Sequence, residues 1–227
     1  MSLLSCQNVS IAYDGNTVVS GVNFKLKAGD YLCIVGENGS GKTTLLRGLL
    51  GLKMTCSGQI IRSADWQKNV GYLPQQTVAQ KDFPASVYEV VLSGCISKLG
   101  WRPFYGAAEK KIAKANLKLL GLAHLRNHCF YELSGGQQRR VLLARSLCAT
   151  RSVLLLDEPL SGLDQAAMRN VYSLLKKLNK AGLTIIMVSH DIRGALRQAS
   201  HILHLDNQQS FFGTAANYKH WQRKKNV

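Results

Sequence analysis

Eight consecutive residues, Gly36-Glu37-Asn38-Gly39-Ser40-Gly41-Lys42-Thr43, fit the spacing G-x-x-x-x-G-K-[ST]. The chemistry that this spacing suits is the binding of a polyphosphate. Glycines let the backbone wrap an anion with its N–H groups turned inward, and a helix starting just beyond adds the positive end of its dipole. Lys42 would reach the β- and γ-phosphates, and the Thr43 hydroxyl, with Thr44 beside it, would sit where Mg2+ is held. A glycine turn that merely precedes a lysine is the plainer alternative. Against it, the apolar run Tyr31 to Val35 leads in and the apolar stretch Thr43 to Leu50 leads out, a strand-loop-helix context.

Two further groups could act on a bound phosphate. Asp157-Glu158 ends the apolar run Val153-Leu154-Leu155-Leu156, and ligands of open α/β sheets gather at such strand ends. Asp157 is placed to hold magnesium, usually through water, which leaves Glu158 to polarise an attacking water. Acidic residues there also serve as helix caps, a duller reading that the nearby phosphate loop disfavours. In Leu133-Ser134-Gly135-Gly136-Gln137, Ser134 and Gln137 have capping-box spacing around two bare glycines. That is a well-capped helix start, and also a second phosphate seat that one phosphate loop does not need. Guanine specificity is unsupported, because the nearest approach to N-K-x-D, Asn179-Lys180-Ala181-Gly182, lacks the aspartate.

A frame must position these groups. Leu3 to Ile11 and Val18 to Leu26 alternate as strands around the turn Asp14-Gly15-Asn16. Between about 76 and 135 the period becomes helical, with Ile112, Ala115, Leu119 and Leu122 marking the apolar face. After Gly136 come a helix, the strand Val153 to Leu156, a helix near Gln165 to Lys180, the strand Thr184 to Val188 and a short helix. The alternation predicts an α/β fold with a β-rich start and a helical lobe inserted.

Composition narrows the class less than the motifs do. The 227 residues are 46% hydrophobic, enough for a sizeable core. No apolar run approaches the ~18 residues of a membrane span. MSLLSCQNVS lacks the basic and apolar regions of a secretion signal, so the chain is expected to stay where it is made. Six scattered cysteines without a C-x-x-C pair suit free thiols in a reducing compartment. The formal charge of +16 admits nucleic acid, anionic lipid, a phosphate-bearing ligand or a plain solvated surface.

In their order, the phosphate loop, LSGGQ followed by Gln138-Arg139-Arg140, and the Asp157-Glu158 strand end resemble the ATP-binding cassette of ABC transporters over nearly the whole chain. The resemblance implies one cassette, 1–227: a P-loop NTPase core lobe (about 1–75 and 138–227) with an N-terminal antiparallel β subdomain, and an inserted α-helical lobe (about 76–137). It implies ATP hydrolysis with ATP and Mg2+ as cofactors. It also explains the surplus phosphate seat: two copies pair head to tail, and the signature Leu133 to Gln137 of each closes over the γ-phosphate of ATP held by the other.

Other family positions carry over singly. Tyr13 matches the aromatic that stacks on adenine, where a strand-core role is the alternative. Gln75 matches the glutamine that touches magnesium and reports to the membrane subunit, with Gln76 as the neighbouring register. Ser161-Gly162-Leu163-Asp164 matches the loop along the dimer interface. His190 matches the switch histidine that contacts the γ-phosphate and helps orient Glu158 and water, a role that a lone histidine after a strand would not suggest by itself. Glu158, His190 and Lys42 are thus the implied catalytic set, and Thr43, Gln75 and Asp157 the implied magnesium set. Implied partners are a second copy, an integral membrane permease subunit and an extracytoplasmic solute-binding protein, with no nucleic acid, at the cytoplasmic face of a bacterial cell membrane.

The cargo is written elsewhere, with one clue here. Asp82-Phe83-Pro84-Ala85-Ser86-Val87-Tyr88-Glu89-Val90-Val91-Leu92-Ser93-Gly94 is similar to a stretch of bacterial zinc and manganese importers, and more loosely of iron-chelate importers. Ser86 and Glu89 also have capping-box spacing, so helix chemistry alone would preserve much of it. Import of a divalent metal ion is the favoured reading, ahead of another small solute, an exporter cassette and a soluble nucleic-acid-acting cassette. His124, His128 and Cys129 lack a suitable fourth ligand, and His201 and His204 would point to opposite faces of a strand, so neither group is read as a metal site.

Overall fold

The computed structural model describes residues 2–64, 66, 69–75, 84–150 and 152–225. In chain order the elements are β1 (Leu4–Tyr13), β2 (Asn16–Leu26), β3 (Tyr31–Val35), α1 (Lys42–Leu50), β4 (Ser57–Arg62), β5 (Val70–Leu73), α2 (Val87–Ser93), α3 (Ala107–Leu119), α4 (Gly135–Ala149), β6 (Val153–Asp157), α5 (Gln165–Lys180), β7 (Thr184–Val188), α6 (Ile192–Gln198), β8 (His201–Asp206), β9 (Gln208–Thr214) and α7 (Ala215–Lys225). This is the mixed α/β architecture that the alternation predicts. None of the described helices is long and apolar enough to cross a membrane.

The strands run in the order β4-β1-β2-β9-β8-β3-β7-β6-β5. β4, β1 and β2 pair antiparallel, as expected of the first residues. Asp14 (φ 47°) and Gly15 (φ 81°) both take left-handed backbone in a two-residue turn, which suits the twist of a tight hairpin. β8, β3, β7, β6 and β5 pair parallel. Every residue of β3, β6 and β7 is buried, which is why these strands read as unbroken apolar runs. Alternate residues supply two cores. Cys33, Leu154, Leu156 and Met187 face one, and Leu32, Ile34, Leu155 and Ile186 face the other, against Leu45, Leu46 and Leu49 of α1.

The helical region forms, but its buried face is not the expected one. Glu109, Ala113 and Leu117 of α3 and the following Leu120 are buried, whereas Ile112 is half-buried, Ala115 exposed and Leu119 49% exposed. Both sets have helical spacing and differ by a rotation of about one residue. Two things decide between them. The Glu109 carboxylate accepts from the Gly106 N–H at 2.8 Å and pairs with Arg102 at 2.9 Å, so a charged residue can face inward. The helix also stops at Leu119, and Leu122 is buried through a turn in which its N–H donates to the Leu117 carbonyl at 2.8 Å. The six cysteines are free, four of them buried.

The corrected face is testable. Leu117→Ala should destabilise the fold by about 2–5 kcal/mol, and Leu119→Ala by no more than about 0.5 kcal/mol, in denaturant unfolding. Equal effects would restore the original face.

Candidate active site

The parallel register sets the site. Leu32 pairs with Ile186 and Leu156 with Met187, so β3, β6 and β7 end level with one another. Gly36 to Gly41, Asp157-Glu158 and Ser189-His190 therefore emerge along one edge of the sheet.

The phosphate loop is a strained arc that glycine makes possible. Gly36, Gly39 and Gly41 lie at φ 150°, 81° and 87°. A Cβ on Gly36 would stand 2.0 Å from the Leu205 carbonyl oxygen, and one on Gly41 would stand 2.4 Å from Val19 Cγ2. Lys42 opens α1 and is buried, its ammonium donating to the Gly36 carbonyl at 3.0 Å and to the Glu37 carbonyl. Burial lowers its pKa, while the Glu158 and Asp157 carboxylates work the other way.

The acidic pair faces this loop. Thr43 Oγ1 donates to Asp157 Oδ1 at 3.1 Å, while Asp157 Oδ2 is buried without a hydrogen-bond partner among the described residues. Burial pushes the Asp157 carboxyl up, against the Thr43 bond that favours its charged form. A threonine hydroxyl, an orphaned buried carboxylate oxygen and the nearby Gln75 amide form an all-oxygen donor set that fits a hard divalent cation such as magnesium. The Glu158 carboxylate is reached by Gln75 Nε2 at 3.3 Å and by His190 Nε2. Glu158 itself sits at φ 50°.

Tyr13, Asn38, Gly39, Gly41, Lys42, Thr43, Thr44, Gln75 and Glu158 line one cavity of about 560 Å3. Gly36, Glu37 and Ser40 line a second cavity, shared with Asn38, Gly39 and the C-terminal Trp221. Leu133 to Gln137 line neither. Instead Ser134 caps α4: its hydroxyl accepts from the Gln137 N–H at 3.4 Å, and the Gln137 side chain accepts from the Ser134 N–H at 3.0 Å. Ser161 to Asp164 run beside this helix start, where a Cβ on Gly136 would meet Leu163 at 3.3 Å, and Asp164 caps α5 through the Ala167 N–H. Gln76, Asp82 and Phe83 lie outside the described residues.

Sequence reasoning gave no individual role to three residues around Tyr13 and Glu158. Arg47, one helical turn beyond Thr43 on α1, lines the cavity and donates to the Tyr13 hydroxyl at 3.5 Å. Its spacing from Thr43 was the available signal. Lys53 places its ammonium 3.8 Å over the Tyr13 ring, so one ring face already carries a cation–π contact. Arg139 donates to the carbonyls of Asp157 and Glu158. The described residues include no group of three His, Cys, Asp or Glu able to hold a metal ion, and His204 instead bonds Tyr218 at 2.6 Å and Asp206 at 3.1 Å.

Because Gly41 combines left-handed backbone with a Cβ clash, Gly41→Ala should weaken binding of an ATP analogue by roughly tenfold or more. Fluorescence titration checks this, and unchanged affinity would contradict the arc geometry.

Residues 19–161 match the model of the ABC transporter family. The manganese transport system ATP-binding protein MntB of Bacillus subtilis is 36% identical over 214 residues, covering 92% of this chain and 86% of that protein. The zinc transport system ATP-binding protein TroB of Treponema pallidum is 34% identical over 203 residues, 88% of this chain and 76% of that protein. The solved structure of cbiO1 from Clostridium perfringens, part of the ABC transporter complex cbiONQ, superposes with a TM-score of 0.83 at 28% identity over 99% of this chain and 94% of that one. The chain belongs to the ABC transporter family, as one of its ATP-binding cassettes.

Proposed function

We propose that the chain is the ATP-hydrolysing subunit of an importer for a divalent metal ion, zinc or manganese, and works as a head-to-tail pair against a membrane permease. The observation that carries the enzymatic part is that Lys42, Thr43 and Glu158 line one cavity, with the buried Asp157 bonded to Thr43 behind it. The loop N–H groups and the Lys42 ammonium bind the phosphates and take up charge that develops on the transferring group. Thr43, Asp157 and Gln75 would hold Mg2+, which when bound offsets phosphate charge. Glu158 polarises a water in line with the leaving oxygen, with His190 and Gln75 fixing its carboxylate. Tyr13, which lines the cavity, offers adenine the ring face opposite Lys53. The glycines of Leu133 to Gln137 serve the other copy's γ-phosphate across Ser161 to Asp164, which agrees with their lying outside the two cavities that the phosphate loop lines.

The cargo reading draws on the manganese and zinc systems among the relatives. The 84–94 stretch supports it less than its text suggests. Ser86 and Glu89 form a complete capping box, Val87, Val90 and Val91 are buried, and a Cβ on Gly94 would lie 2.1 Å from the Arg145 carbonyl. Folding alone accounts for those residues. A permease contact is favoured by Ile96, Trp101 and Phe104, which expose large apolar side chains within nine residues of chain. An extracytoplasmic solute-binding protein would deliver the ion, and the chain would sit at the cytoplasmic membrane face.

Glu158→Gln should keep ATP affinity, lower turnover roughly 100- to 10,000-fold and accumulate an ATP-bound dimer on gel filtration. Undiminished hydrolysis would refute the assignment of Glu158. For cargo, the chain reconstituted with its permease in vesicles should take up manganese or zinc on addition of ATP. Uptake of neither ion would remove the metal reading while leaving the ATPase intact.

A further inference from the structure

Arg139 is a buried cation that makes no ion pair among the described residues. It lies on the second turn of α4, 3% exposed. Among the described residues its guanidinium donates only to backbone carbonyls on two other stretches of chain: Nε to Pro159 at 3.3 Å, Nη2 to Asp157 at 2.8 Å and to Glu158, and Nη1 to Pro74 at 3.5 Å. A charge taken this far from water needs compensation, and here converging carbonyl dipoles supply it together with the nearby Asp157 and Glu158 carboxylates, which work against the effect of burial. A simple core staple would not need a charge, nor would it have to meet those particular carbonyls.

Glu158 supplies the reason. Its φ of 50° is a backbone conformation that an L residue keeps only when its surroundings impose it. Two bonds impose it. The Glu158 N–H donates to the Val188 carbonyl at 3.1 Å, anchoring one side of the residue to β7. The Glu158 carbonyl accepts from Arg139, anchoring the other side to α4. Between those anchors the side chain is aimed at Gln75 and His190.

We propose that Arg139 is a positioning residue for hydrolysis: its guanidinium clamps the Asp157–Pro159 backbone so that the Glu158 carboxylate points at the water it polarises. The proposal rests on the role given to Glu158 above. It has a mechanical corollary. The helix that carries Arg139 begins at Ser134, so a shift of that helix start by the other copy's ATP is delivered through the guanidinium to Glu158, and to Pro74 beside Gln75. A lysine could not replace it, because one ammonium on a flexible stem cannot span carbonyls of both stretches as a planar fork does.

The test uses the full chain with Arg139→Gln and Arg139→Lys, each alone and combined with Glu158→Gln, with folding checked by circular dichroism melting. In every variant that melts cooperatively, kcat should fall roughly 10- to 100-fold while KM for ATP stays within about twofold. In the Glu158→Gln background the same substitution should change the residual rate by less than about twofold, since the clamp then has no carboxylate to aim. Arg139→Lys should not restore the rate, and it serves if the glutamine variant does not fold. Wild-type kcat in either folded variant overturns the proposal. So does a loss that appears in KM instead, or an equal loss with and without the Glu158 carboxylate. If Glu158→Gln alone hydrolyses ATP normally, the assignment of Glu158 fails first. A crippled Glu158→Gln beside an active Arg139→Gln removes the clamp alone.

Discussion

Parallel strands buried on both faces leave polar chemistry only one place to go. β3, β6 and β7 satisfy their backbone groups through the ladder and fill both faces with apolar side chains. Charged groups can therefore gather only beyond the strand ends. Because these strands are parallel and level, those ends coincide, and the glycine loop with Lys42 meets the Asp157 and Glu158 carboxylates without any long-range arrangement of loops. The position of the site follows from the register more than from any single contact.

That edge stores several arrangements that a free chain would avoid. Gly36 and Gly41 occupy backbone space closed to other residues, Glu158 holds left-handed backbone, and Asp157 keeps one buried oxygen without a partner among the described residues. In the function we propose, each would be met by something beyond this polypeptide: an anion for the loop N–H groups, a cation for the aspartate, a water for the glutamate. The supports come from the fold itself, through the Leu205 carbonyl behind Gly36, the Val188 carbonyl behind Glu158 and the Arg139 guanidinium behind the acidic pair. Functional sites often hold such strain where a rigid surrounding can sustain it.

What could be read from the residues alone was whatever has a strong local signature. The buried strands Tyr31–Val35 and Thr184–Val188 and the helix Gln165–Lys180 announced themselves by apolar runs and period, and the glycine spacings by backbone necessity. The two capping boxes at Ser86 and Ser134 formed as written. β4 escaped because it is short and mostly exposed, and β5 because four residues with Gly71 on the buried face and Val70 and Tyr72 on the other show no alternation in the sequence. The face of α3 was misjudged because an inward Glu109 is possible only with its Arg102 and Gly106 partners, which no periodicity reveals. Lys53 over Tyr13 and Arg139 behind Glu158 were illegible for the same reason: both act through partners far away in sequence.

We propose that each ATP is enclosed by the phosphate loop of one copy and the LSGGQ turn of the other. Mixing two inactive variants tests it directly. Lys42→Ala removes the phosphate lysine and Ser134→Arg blocks the signature turn, so each alone should release almost no phosphate. In a mixed pair, one site combines an intact loop from one copy with an intact turn from the other, and phosphate release should reappear on mixing. If the mixture stays as inactive as its parts, or Ser134→Arg alone hydrolyses ATP at the wild-type rate, the shared-site account is wrong.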